Sequence, residues 1–225
     1  MTIFRVFAIL VLGGIAGVLV THLRLRSESW KVLGEFLMRH FRKLVEVRMI
    51  RPVSEGGELL AQVRELVYRA ALLLSLVLAV TGFVPVIFLG EHLTGVLLLI
   101  HVTIAPFFAL LIAAAALLWA HHQRLDEQHF ILLKKLISRQ PAESEAIRGF
   151  TIRVGFWLLL LLSLPLMLSI ILGMFPLFGT DGERMLICIH GYSALCITAV
   201  VLIHTYMLIC RRDATIGEPI KEETQ

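Results

Sequence analysis

The stretch MLICIHGYSALCITAVVLIHTYMLIC, residues 185–210, holds 26 positions without an Asp, Glu, Lys or Arg. A membrane-spanning helix needs about 20 mainly apolar residues, so this run by itself predicts a transmembrane segment. Four more uncharged runs precede it: Val6–Leu23, Ala70–Gly90, Leu93–Gln123 and Val154–Thr180. The shortest has 18 residues, and together the five cover more than half of the 225-residue chain. Composition agrees, with 58% apolar and 17% charged residues, against roughly 45–50% and about 25% in soluble domains. The expected fold is all-α, an integral membrane helical bundle of five transmembrane helices. The same numbers exclude a soluble enzyme, a nucleic-acid binder and a disordered chain.

The formal charge of +4 has its origin in the loops. Of 21 Lys and Arg residues, ten lie in Arg24–Arg69, six in Arg124–Arg153 and three after Cys210. The opposite side carries only Arg5 and Arg184. By the positive-inside rule the N-terminus is expected outside and the C-terminus in the cytoplasm. The first run lacks a small-x-small cleavage site and leads into Thr21-His22-Leu23-Arg24-Leu25-Arg26, a stop-transfer flank. Residues 1–23 are therefore expected to stay as an anchor helix. Gly13 and Gly17 on it form a weak GxxxG pair.

Residues 24–63 read as an interfacial segment. Trp30, Leu33, Leu37, Phe41 and Leu44 recur at helical spacing, with Lys31, Arg39, Arg42 and Lys43 mostly between them. Pro52 and the Ser54-Glu55-Gly56-Gly57 turn end it, and a second short helix from Glu58 leads into the next span. Residues 64–212 form a four-helix domain, and 213–225 a polar cytoplasmic tail. The loop Arg124–Arg153 is polar, with an apolar patch at Phe130–Leu133 that suits a partner or the membrane surface.

Nine histidines is a high count for such a chain, and His101, His190 and His204 lie inside spans. An ionisable residue at membrane depth is costly and marks a functional site by default. His190 and His204 are 14 residues apart, which is about 21 Å along a helix and within about 40° of one face. His101 lies roughly 12 Å inside the outer end of its span and His190 roughly 8 Å, comparable depths in two helices that run the same way. A b-type haem held by two imidazoles follows from that match, because histidine is a standard axial ligand. Two other readings fit the same histidines: a proton relay in a small channel or transporter, and a haem-poor structural anchor of a larger complex. His22, His40, His92 and His129 sit in or beside loops, and His121 and His122 at the inner boundary. Cys188, Cys196 and Cys210 read as small packing residues, and no C-x-x-C-H motif for covalent haem is present.

The segment His190-Gly191-Tyr192-Ser193-Ala194 through Val201-Leu202-Ile203-His204-Thr205-Tyr206-Met207 resembles the last helix of the membrane cytochrome b (gamma) subunit of respiratory formate dehydrogenases. Related subunits serve nickel–iron hydrogenases and thiosulfate reductases. Ala79-Val80-Thr81-Gly82 resembles the close of that family's first helix, and His101 with Pro106-Phe107-Phe108 its second. Arg153-x-x-Phe156-Trp157 resembles the start of its third. The likeness spans residues 64 to 212 and implies a four-helix cytochrome b core, with the N-terminal helix as an addition.

The resemblance implies an outer haem on His101 and His190, and an inner haem using His204. Its partner histidine on the first family helix falls here on Tyr68, beside Arg69, and an Asn near the family's quinone pocket falls on Gly149. Three outcomes follow for the inner haem: absent, five-coordinate, or completed by another group. His121 and His122 lie about 30 Å along the helix from His101, against 21 Å for the His190–His204 pair. Tyr68 offers a phenolate, an uncommon haem ligand. Arg153 is a candidate to steady haem propionates or a reduced quinone. The implied function is an electron-transfer subunit in a bacterial-type inner membrane. It would sit between an iron–sulfur or multihaem cytochrome partner on the outer face and membrane quinone. No GxGxxG, Walker or zinc pattern occurs, so the chain is not expected to be catalytic alone.

Overall fold

The structure, a computed structural model, describes residues 2–25, 38, 56–141, 143–175 and 177–216. Of these, 88% are helical and none is in a strand, so the fold is all-α. The helices are α1 (Thr2–Leu25), α2 (Gly56–Val84), α3 (Gly95–Trp119), α4 (Glu127–Ile137), α5 (Ser144–Gly173) and α6 (Gly179–Ile216). Five segments among them are long and apolar enough to cross a membrane: Thr2–Thr21, Leu59–Leu89, Gly95–Trp119, Ser144–Gly173 and Gly179–Leu208. Large apolar side chains point outward along these helices, as at Leu10, Leu76, Leu161 and Leu117, the last 87% exposed. Water would penalise such a surface, and lipid does not. The amphipathic stretch around Trp30, Leu33, Leu37, Phe41 and Leu44, and tail residues 217–225, lie outside the described residues.

The chain divides into two compact units, residues 1–120 and 121–225. In the first, α2 is one continuous helix of 29 residues. The expected short helix from Glu58 runs into the span without interruption. Glu58–Arg69 is rich in helix formers, and Glu65 pairs with Arg69 one turn later. Pro85 ends the α-helical part, because it has no N–H for the Thr81 carbonyl and its ring crowds that group. The chain widens there into a single π-turn, Pro85–Leu89, closed by Gly90 at φ +71°, whose N–H donates to the Pro85 carbonyl. Arg5 of α1 reaches the same end: its Nε donates to the Ile87 carbonyl at 2.8 Å, and Phe4 stacks on Phe83. A cation on the last carbonyls of a helix is favourable, which gives α1 a specific attachment. Gly13 and Gly17 are not part of it, since nothing lies within 4 Å of where their Cβ atoms would be.

Gly90 carries a testable load. A Cβ there would stand 2.9 Å from Arg5 Nη1, on a backbone with positive φ. Gly90→Ala is expected to destabilise the protein by about 1–2 kcal/mol, read as a lower thermal midpoint in detergent. An unchanged midpoint would remove the Arg5 cap from the account.

In the second unit α5 and α6 form an antiparallel pair. Lipid supplies no hydrophobic force between helices, so close packing over small residues must hold them. Gly155, Ser163 and Ser169 are buried on α5, and Ser193, Leu195 and Ile197 on α6. The hydroxyls are satisfied within their own helix: Ser163 donates to the Leu160 carbonyl at 2.6 Å and Ser169 to the Leu166 carbonyl at 2.9 Å. Where the sequence suggested a polar loop with an apolar patch, α4 forms instead. Asp126 caps it, its side chain accepting from the His129 backbone N–H, while the His129 side chain returns to the Asp126 backbone.

Two forces act on the Asp126 carboxyl. Partial desolvation raises its pKa, but hydrogen bonds from the His129 side chain and backbone, with the charges of His129 and Arg153, bring it below its ordinary 3.8. A depressed carboxyl contributes stability that is full above the unfolded value and lost as pH falls through the folded one. Hydrogen exchange at the first turn of α4 is therefore expected to accelerate several-fold below about pH 4. In Asp126→Ala it should be fast at every pH. Equal protection in the two proteins at pH 6 would contradict the cap.

Candidate functional site

The candidate residues are distributed over both units. His101 lies on α3, one and a half turns after its start, and faces the end of α2. Its Nδ1 is 2.9 Å from Thr81 Oγ1. That hydroxyl has one proton, which it donates along its own helix to the Val77 carbonyl at 2.8 Å, with the Leu78 carbonyl at 3.2 Å. Towards His101 it can then only accept. A neutral ring with its proton on Nδ1 would satisfy this contact and leave the lone pair on Nε2. Gly82 makes the close approach possible: a Cβ there would lie 3.4 Å from His101 Cε1. The π-turn that follows within three residues begins at the proline beside this contact, and such turns recur at functional sites.

His190 on α6 reaches the same state by another route. Its Nδ1 lies 3.1 Å from the Leu166 carbonyl of α5. A carbonyl accepts only, so Nδ1 donates and Nε2 again holds the lone pair. The hairpin register makes this pairing, since Gly173 meets Leu186 and Gly155 meets His204 on either side of it.

His204 differs. It packs on Gly155 so closely that a Cβ built there would be 2.8 Å from Nδ1 and 3.5 Å from Cγ. Nδ1 is buried and has no hydrogen-bond partner. His190 and His204 thus both turn towards α5, as their 14-residue spacing implies, but only one has an acceptor for its Nδ1.

Tyr68 is half-buried on α2, 13 residues before Thr81 and about 20 Å from it along the axis. Arg153 is half-buried in the N-terminal third of α5, and its Nη1 lies 2.5 Å from His129 Nε2. His129 Nδ1 contacts the Asp126 carboxylate, and its ring stacks on Phe150 at 6.2 Å. Trp157 donates Nε1–H to the Gln123 carbonyl at 2.7 Å. This chain of contacts fixes α4 and its preceding loop to α5, and it gives Arg153 a structural task. Gly149 has nothing within 4 Å of a Cβ position. Cys188 and Cys196 are free thiols.

Four partners escaped the reading of the sequence. Thr81 and Gly82 stood there only as part of a likeness, with no contact to His101 attached. Gly155 has a signal in principle, a lone glycine eight residues before Ser163 in a leucine-rich run. The Leu166 carbonyl has none. No family model, no curated protein and no solved structure matches the chain. The likeness to membrane cytochrome b subunits therefore rests on the residues themselves. Among the described residues no group of three or more His, Cys, Asp or Glu gathers as a metal site would require. A porphyrin brings its own four in-plane nitrogens and asks the protein for at most two.

Proposed function

We propose that this chain is the haem b-holding membrane subunit of a respiratory oxidoreductase, set between a partner redox subunit and the membrane quinone pool. The observation that supports it is the shared state of His101 and His190. Each is a histidine within an apolar span whose Nδ1–H is taken up by a fixed acceptor. A metal-ligating histidine characteristically donates its other ring N–H in this way, which fixes the tautomer and raises ligand basicity.

His101 and His190, at comparable depth by sequence, are the proposed axial pair. When bound, the haem supplies reversible one-electron chemistry. The protein's part would be to hold the two imidazoles, each by its Nδ1 contact, within apolar spans. Two histidine ligands would suit the group to electron transfer over oxygen activation. Arg153 has guanidinium donors beyond the one facing His129, and these suit an anionic oxygen such as that of a reduced quinone.

The distribution of Lys and Arg puts the N-terminus outside and the C-terminus in the cytoplasm of a bacterial-type inner membrane. On that topology the His101–His190 level lies in the outer half, and an iron–sulfur or multihaem cytochrome subunit would dock on the outer face. The test is reduction by quinol. In proteoliposomes, a short-chain quinol is expected to reduce the b-type haem of the purified protein. Haem that dithionite reduces but quinol does not would overturn the quinone half of the proposal.

A further inference from the structure

The three intramembrane histidines are not equivalent, and the difference decides how many haems the chain can hold. We infer that this protein holds one haem and not two, with His204 a neutral Nε2–H hydrogen-bond donor instead of an iron ligand. This rests on the haem reading above and sharpens it.

The geometry at Gly155 carries the inference. A Cβ built on Gly155 replaces one of its α-hydrogens, and that Cβ would stand 2.8 Å from His204 Nδ1. A Cα–H of Gly155 is therefore aimed at Nδ1. Such a contact suits a lone pair and opposes an N–H. Nδ1 is buried without a hydrogen-bond partner. A neutral ring in this position places its proton on Nε2. Iron binds the Nε2 lone pair, so ligation would require the proton to move to Nδ1, against the Gly155 Cα–H and with no acceptor.

His101 and His190 show what this chain does where it prepares a ligand. One Nδ1 has the Thr81 hydroxyl at 2.9 Å and the other has the Leu166 carbonyl at 3.1 Å. Loss of such a partner typically weakens metal binding 10–100-fold. His129 is engaged with Asp126 and Arg153, and Tyr68 supplies a phenol where an imidazole would be needed for a matched pair.

The experiment is haem stoichiometry by pyridine haemochrome on the full-length protein purified in detergent, with protein measured by amino-acid analysis. One haem per chain is expected. His204→Phe, which keeps an aromatic ring on Gly155, is expected to retain the full wild-type amplitude of the reduced b-type band. Two haems per chain would overturn the inference, as would a His204→Phe protein that loses half its haem. Should His204→Phe fail to fold, the wild-type stoichiometry decides alone. No haem at all in folded wild-type protein would instead strike the haem reading beneath, so the two failures are told apart.

Discussion

His101→Ala is expected to lose the b-type absorption completely, and His190→Ala to do the same. Each would remove one of the two proposed imidazole ligands, both carried on apolar spans. Replacement by alanine leaves a space that water or an added imidazole can enter, so imidazole in the growth medium is expected to restore part of the band. Circular dichroism should show near-wild-type helicity, because neither ring closes a helix. The two variants must behave alike. A protein in which His101→Ala abolishes haem and His190→Ala does not would break the proposed pair.

The second large effect is expected at Thr81. Thr81→Val keeps the shape and removes the oxygen that accepts from His101 Nδ1 at 2.9 Å. The ring then loses its fixed orientation and its tautomer preference. Haem retention through purification is expected to fall about 10–100-fold in affinity terms, with a shifted midpoint potential for whatever haem remains. Thr81→Ser retains the hydroxyl and is expected to rescue both. A merely structural threonine would give similar results for valine and serine, with neither haem content nor potential changed. Thr81 would act through His101, as a positioning residue.

The membrane character of the chain was plain in the spacing of its charges. Five uncharged runs became five spanning segments, because backbone groups in lipid have few options other than helix. What the sequence did not show is how polar groups are satisfied. It offered Gly56-Gly57 as a turn, yet they open a continuous helix, since the segment after them has strong helical preference. It marked Arg124–Arg153 as a loop, although Asp126 and His129 are spaced to cap one. The candidate histidines stood out by type and depth alone. Their inequality did not, because it depends on a main-chain carbonyl at Leu166 and a missing Cβ at Gly155. Such partners are set by the register of two helices across a hairpin, and that register is written in packing, not in any local motif.

The most direct measurement is the dithionite-reduced minus oxidised spectrum of the purified full-length protein, expressed in haem-replete cells. A b-type α-band is expected, with the low-spin signature of two imidazole ligands in the oxidised protein's electron paramagnetic resonance. A helical, monodisperse preparation with a featureless difference spectrum would contradict the account.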